Sequence, residues 1–188
     1  MKNNKAYKQQ VRIIGGTHRR RVVSFSEAEG LRPTPDRVRE QVFNWLGQRL
    51  HQMKVLDLFG GSGVMAFEAA SRGATHVDLV ELNRQTVQNM RENITQLQLP
   101  HIHVHNKEAL KYLQDALCVY DVIFLDPPYL WQHWDALWPL LARLCHEETA
   151  IYIEAAQLPS LPNWLQWQRE GSAGQSHYGI AIMQDVDL

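Results

Sequence analysis

Residues 54–63 read Lys-Val-Leu-Asp-Leu-Phe-Gly-Gly-Ser-Gly. A short apolar run that stops at a turn signal reads as a strand buried on both faces, and 54–59 is such a run. Three glycines follow within four residues, Gly60, Gly61 and Gly63. They let the backbone approach a ligand closely and supply positive φ where it is needed. A helix opening at Gly63 presents unpaired N–H groups to a polar or anionic group. No Gly-Lys-Ser/Thr follows, and the full GxGxxG pattern is absent, so this is neither a Walker A loop nor a complete dinucleotide fingerprint.

Working outward, strands are expected at 77–81, 102–105, 120–125 and 149–154, with helices near 63–72, 83–97, 107–116 and 133–145 between them. That alternation is the pattern of a doubly wound, mostly parallel α/β sheet with helices on both faces. Two further strands, 164–170 and 177–184, are joined by residues 171–176 and are expected to pair antiparallel at one edge, giving seven strands. Upstream, 11–14 and 21–25 flank Gly15-Gly16-Thr17 and read as a β-hairpin. A helix then opens with Thr34 as N-cap and Pro35 as its first residue, with Val38, Val42, Trp45, Leu46 and Leu50 along one face. The expected organisation is a small hairpin/helix extension over 1–52 and the α/β domain over 53–188.

The 188 residues, 45% hydrophobic and 21% charged, suit one globular domain with a small extension. Cys118 and Cys145 have neither CxxC nor His-rich spacing, so no disulfide framework or structural zinc is indicated, and a reducing cytoplasm fits. The start lacks an apolar leader and no run approaches a membrane span. The net charge of −1 conceals an asymmetry: residues 1–54 hold 12 of the 19 Lys and Arg and four of the 20 Asp and Glu, a balance of +8 against −9 for the rest. A basic arm that meets a polyanion is expected.

In open α/β sheets, ligands bind beyond the carboxyl ends of the strands. The strands that end there carry Asp57, Glu81, Glu108 and Asp126. Glu81 is placed to accept hydrogen bonds from ribose hydroxyls, and Glu108 to accept from an exocyclic amino group such as that of adenine. The fourth strand runs into Asp126-Pro127-Pro128-Tyr129. Its prolines fix φ and remove two N–H donors, so a carboxylate and a carbonyl can both accept from one NH₂ group. Tyr129 adds a flat face on which a base could stack, a contact worth about 1–3 kcal/mol.

The glycine loop, Glu81 and Asp126–Tyr129, in that order, resemble the Rossmann-like class I S-adenosylmethionine-dependent methyltransferases that modify an exocyclic amino nitrogen. Arg12-Ile13-Ile14-Gly15-Gly16, Leu31-Arg32-Pro33-Thr34, Asp36–Glu40 and Phe43-Asn44-Trp45-Leu46 further resemble the RsmD family of bacterial ribosomal RNA methyltransferases. The resemblance spans nearly the whole chain. It implies methylation of guanine N2 in 16S rRNA, bare or in an assembling subunit, with conversion of S-adenosyl-L-methionine to S-adenosyl-L-homocysteine. On it, Asp57, Phe59, Gly60, Gly61, Ser62 and Gly63 would hold the methionine end of the cofactor, and Glu81 and Leu82 the ribose. Glu108 and Ala109 would hold the adenine. Asp126, Pro127, Pro128 and Tyr129 would form the catalytic element, with Asp126 also beside the cofactor. Arg12, Arg19, Arg20, Arg21, Arg32, Thr34 and Arg37, with Tyr129, would contact RNA. No membrane or obligate protein partner is implied.

Adenine-N6 methylases use the same tetrapeptide chemistry, glutamine methylases typically carry Asn where Asp126 stands, and a non-catalytic cofactor-binding RNA module is the remaining alternative. His101, His103 and His105 share one side of a strand, but they lie within it rather than at its end, and no metal is expected. Trp131, Trp134 and Trp138 have helical spacing and read as packing, with Trp131 bordering the base pocket.

Overall fold

The computed structural model describes residues 8–26 and 33–184. Strands β1 (Lys8–Arg12) and β2 (Val22–Ser26) pair antiparallel, and helix α1 (Asp36–Trp45) follows. Next come β3 (Lys54–Asp57), α2 (Val64–Ser71), β4 (His76–Val80), α3 (Arg84–Leu97) and β5 (Ile102–His105). Then α4 (Ala109–Asp115), β6 (Val122–Leu125), α5 (Trp134–Ala142) and β7 (Ala150–Ala155) lead to β8 (Leu165–Ala173) and β9 (Ser176–Met183). The large sheet has the order β5-β4-β3-β6-β7-β9-β8. Its first five strands are parallel, and β9 runs antiparallel to both neighbours. The strand order reverses between β3 and β6, the switch point at which such sheets bind ligands.

Helices cover both faces, which is why the central parallel strands are buried almost end to end. On one face Val42 and Phe43 of α1 and Phe67 of α2 pack with Val55, Leu79 and Phe124. Val11, Ile13, Val23 and Phe25 of the hairpin region join that same cluster. On the other face Leu113 of α4 and Leu137 and Leu141 of α5 pack on Leu56, Ile123 and Ile151.

A fully buried carboxylate ties the hairpin and α1 to α2. Glu68 accepts from the backbone N–H of Ile14 at 2.9 Å and Gly15 at 2.8 Å, from Arg72 Nε at 2.9 Å and from an Arg39 guanidinium nitrogen at 3.2 Å. Arg39, also fully buried, completes its fork on the Thr34 carbonyl at 3.1 Å and on Asp36. Gly16 is required by space and by conformation: its φ is +74°, and a Cβ there would lie 1.9 Å from the Ser71 carbonyl oxygen.

Three local expectations shift. The helix starts at Asp36, with Pro35 at its cap in extended geometry and no side-chain cap. Thr34 is spent differently, because its carbonyl is needed by buried Arg39. The hairpin strands pair as Arg12↔Val22, so Ile13 to Arg21 form a longer loop, fastened by Ile13 N–H to Arg21 O and Arg20 N–H to Ile13 O. Residues 171–176 are mostly strand, since β8 and β9 pair down to Ala173↔Ser176 and only Gly174 and Gln175 turn.

The histidine-rich strand packs beside a buried carboxylate. Asp78, buried in β4, accepts from His105 Nε2 at 2.6 Å, His76 Nε2 at 2.7 Å and the Tyr120 hydroxyl at 2.7 Å. Burial alone would raise the Asp78 pKa, but these three donors outweigh it and hold the carboxyl well below its usual range. His103 stacks on His76 with ring centres 4.7 Å apart. His76, Asp78 and Cys118 come within reach of a single ion, and His105 and Tyr120 donate to the same carboxylate.

Candidate active site

A cleft of about 1570 Å³ opens along the carboxyl ends of β3, β4, β5, β6 and β7. One of its walls is the loop after β3. Gly60 N–H donates to the Val80 carbonyl at 2.8 Å and Gly63 N–H to the Gly60 carbonyl at 2.6 Å, which folds the loop back over β4. Gly61 and Gly63 have φ of +53° and +78°. A Cβ on Gly60 would meet Leu79 Cδ1 at 2.7 Å and Met90 Cε at 2.9 Å, so a side chain there would have to displace both ends.

Glu81 braces this loop. Its carboxylate accepts from Gly61 N–H at 3.0 Å and Asn83 N–H at 2.7 Å. Asn106 donates to the carbonyls of Glu81 and Leu82 at 2.9 and 2.8 Å, fixing the crossover between the two strand ends. Asn83 caps α3 by accepting from Gln85 and Thr86 N–H. Neither Asn83 nor Asn106 was singled out from the sequence. The usable signal was an Asn at the start of a helical stretch. Glu108 faces the cleft wall but has a structural duty, since its two oxygens cap α4 by accepting from Leu110 and Lys111 N–H at 3.1 and 3.0 Å.

The opposite wall begins at Asp126. Pro128 O accepts the turn bond from Trp131 N–H at 2.8 Å, and no hydrogen bond among the described residues uses the Pro127 carbonyl. Tyr129 and Leu130 are 72% and 84% exposed and Leu82 is 66% exposed, which makes an apolar, aromatic rim around a polar floor. Trp131 packs edge-on against Phe59 at 5.2 Å and against Trp134 at 5.0 Å, so it borders the cleft while Trp138 is buried in the packing.

The floor is acidic. Burial pushes the Asp57 carboxyl up to about 8, backbone hydrogen bonds from Ala66 and Phe59 oppose that shift, and the charge of Glu81 adds to it. Asp126 is raised well above the ordinary range by burial and by the charges of Glu154 and Asp57. Acids held this way are relieved by a cationic ligand. S-adenosylmethionine carries both an ammonium and a sulfonium, so the donor set fits it.

The basic residues separate into two groups. Pro33, Thr34 and Pro35 line the cleft, and Arg37 is exposed in the next turn. Thr34 itself is buried. The hairpin tip lies elsewhere: Thr17 N–H donates to the Ser71 carbonyl and His18 Nε2 lies 2.9 Å from the Leu97 carbonyl. Ser71 and Leu97 are the last residues of α2 and α3, whereas the cleft is at the first residues of those helices. Helix α3 has 14 residues, about 21 Å. Arg19, Arg20 and Arg21, together with Arg12 beside them, are therefore at the end of the molecule away from the cleft. Arg32 lies outside the described residues.

The family model described as Conserved hypothetical protein 95 matches residues 11–182. Ribosomal RNA small subunit methyltransferase D of Escherichia coli is 36% identical over 185 residues, covering 95% of this chain and 93% of that one. The chain belongs to the RsmD methyltransferase family. The Haemophilus influenzae protein of the same name is 36% identical over 169 residues, with 84% and 86% covered. The solved structure of the Escherichia coli protein yhhF superposes with a TM-score of 0.84 at 34% identity, covering 94% of this chain and 99% of that chain. A SAM-dependent methyltransferase from Agrobacterium tumefaciens, 21% identical with a TM-score of 0.63 and 81% and 54% covered, shares the fold. The chain is thus a methyltransferase with the class I fold. No helix among the described residues is long and apolar enough to cross a membrane.

For this RsmD-family chain the raised Asp57 carboxyl has a measurable consequence. The native carboxyl keeps its proton up to about 8, against 3.8 for the ordinary group. The native state therefore binds more protons across that window, and the contribution of Asp57 to stability falls as pH rises through it. A cationic ligand reverses the preference, so cofactor binding at pH 7 is expected to release a proton and to tighten as pH rises towards 8. Calorimetry in two buffers of different ionisation enthalpy measures this, and Asp57→Asn should reduce the release to the share of Asp126.

Proposed function

We propose that this methyltransferase transfers a methyl group to the exocyclic N2 of a guanine in small-subunit 16S rRNA. The observation that carries this is Asp126: a semi-buried carboxylate next to an uncommitted Pro127 carbonyl, in a cleft that the exposed ring of Tyr129 also lines. The names of the Escherichia coli and Haemophilus influenzae relatives support ribosomal RNA of the small subunit as the substrate.

Bound S-adenosylmethionine supplies an electrophilic methyl group. An aryl amine is a weak nucleophile because its lone pair is delocalised into the ring. Asp126 and the Pro127 carbonyl accept its two hydrogens and turn the lone pair towards the cofactor side of the cleft, a gain of orientation and of electrostatic stabilisation as the nitrogen becomes positive. As the N–C bond forms, the methyl–sulfur bond would break to leave the neutral thioether S-adenosylhomocysteine, and one amino proton passes to Asp126 or to water. Gly60, Gly61, Ser62, Gly63 and Asp57, with Phe59, would flank the methionine end. Glu81 and Leu82 would flank the ribose and Ala109 the adenine, with Glu108 contributing its remaining lone pairs. Tritium transfer to 16S rRNA, bare and in assembled particles, followed by nucleoside separation tests the reading. N2-methylguanosine is expected, and N6-methyladenosine would replace guanine with adenine as the target.

In this reading residues 1–52 are the RNA-contacting extension and 53–188 the cofactor-binding part. Arg37 and Tyr129 then meet the RNA at the cleft mouth, and Arg12 and Arg19–Arg21 hold phosphates about 21 Å away, a helix length. Changing Arg19, Arg20 and Arg21 together to Ala should weaken RNA binding and flatten its salt dependence by roughly one counterion per lost contact. Turnover at saturating RNA should be kept. An unchanged salt slope would confine the RNA footprint to the cleft mouth.

A further inference from the structure

We infer that Glu154 reads the N1–H of the target guanine and so makes the site select guanine over purines that lack that proton. This rests on the reading of guanine N2 as the methyl acceptor.

The placement follows from strand register. Strands β6 and β7 run parallel with Leu125 beside Ile153. One residue further, Asp126 follows the end of β6 while Glu154 continues β7, paired with Tyr178 of β9, and adjacent parallel strands at this spacing set the two backbones about 4.8 Å apart. Strand alternation puts both on the face that carries Phe124 and Tyr152. Both line the cleft, and β7 lies on the side of β6 away from the glycine loop. Glu154 is therefore on the substrate side of the amino-group acceptor.

Glu154 is held ready to accept. The Tyr152 hydroxyl donates to one of its oxygens at 2.6 Å and the Ser176 hydroxyl to the other at 2.7 Å. These two donors fix the carboxylate plane and leave further lone pairs on each oxygen. The residue is 9% exposed. A negative charge at this depth in the cleft is consistent with the raised pKa of Asp126 next to it.

The chemistry decides which base edge fits. Guanine offers two donors side by side, N1–H and the N2 amino group. Two adjacent carboxylates match that pair. Adenine, and guanine analogues without the N1 proton, set a lone pair against Glu154. Repulsion of this kind rejects a wrong base more strongly than a lost contact does. No other charged group at the substrate side of the cleft duplicates this acceptor among its described lining residues.

The test uses 2-aminopurine, which keeps the N2 amine and lacks the N1 proton. Once the methylated guanine has been mapped with the unaltered enzyme, RNA carrying 2-aminopurine at that one position is compared with the guanine RNA. The unaltered enzyme should prefer guanine in kcat/KM by roughly 10²-fold or more, as sites built to hydrogen-bond a substrate group do. Glu154→Gln offers an NH₂ donor to the bare N1, and its preference should fall to within about tenfold. A ratio of rates is insensitive to a partial loss of folded enzyme. Equal preference in both enzymes would overturn the inference while leaving guanine N2 as the acceptor. Should Glu154→Gln not fold, a near-unity preference in the unaltered enzyme would overturn it equally. Adenine methylation by the unaltered enzyme would remove the reading on which it rests, an outcome separable by product identity.

Discussion

Asp126→Ala is expected to lower turnover by about 10²–10⁴-fold, the range for a positioned hydrogen-bonding or acid–base group, while cofactor affinity stays close to that of the unaltered enzyme. The loss has two sources. The amino group loses one of its two acceptors, so its lone pair is no longer held in line, and the developing positive nitrogen loses the nearest negative charge. Asp126→Asn keeps an acceptor without the charge and should fall between the two. Because burial and the charges of Glu154 and Asp57 raise the Asp126 carboxyl, the free enzyme gains the ionised form as pH rises. The acidic limb of the kcat/KM profile should accordingly lie above the ordinary carboxylate value of 3.8 and disappear in Asp126→Asn. Single-turnover assays with nucleoside analysis measure both effects. Turnover within a few-fold of normal in Asp126→Ala would remove Asp126 from the chemistry.

Glu68→Ala should cost more stability than any single change in the cleft. It strands the fully buried Arg39 and two backbone N–H donors at once. Breaking a buried pair from one side typically costs about 3–5 kcal/mol, which for a chain of this size lowers Tm on the order of 10 °C. The double change Glu68→Met with Arg39→Met removes the fully buried pair and should cost less than Glu68→Ala, although Arg72 and the N–H groups of Ile14 and Gly15 still lose their acceptor. Thermal and urea unfolding compare the three proteins. A loss below about 1 kcal/mol in Glu68→Ala would show that Arg39 finds other acceptors, since an unsatisfied buried charge cannot be that cheap.

The sheet and the glycine loop that lines the cleft were legible because their signals are local. A buried parallel strand shows as an apolar run, and a glycine loop must sit where backbone meets ligand. Asp57, Glu81 and Asp126 followed from one rule about strand ends. Glu154 obeys that rule too, but as the last residue of an expected strand, 149–154, it was read only as a boundary. Glu68 was harder. It lies within Val64–Ser71, a helix with no polar face, and three of its four partners come from residues 29 to 54 positions upstream. The position of Arg19–Arg21 was likewise hidden. Charge patterning marks a basic segment, but only the contacts of Thr17 and His18 with the ends of α2 and α3 tell which end of the sheet it occupies. The reading of Glu108 as an adenine ligand left out its nearer partners, because a helix N-terminus two residues on competes for the same carboxylate.

The Glu68 junction also bears on the order in which the chain acquires its shape. Hairpin residues leave the ribosome first, yet the carboxylate that receives Ile14 and Gly15 follows 54 and 53 positions later. A two-stranded ribbon alone is marginal in water, so the amino-terminal arm has nothing to settle on until α2 exists. When it does settle, α1 comes with it, because Arg39 spans from its own helix to Glu68. The arm and the first βα unit of the sheet therefore gain structure together, and synthesis of the hairpin precedes its folding by the length of a small domain's worth of chain.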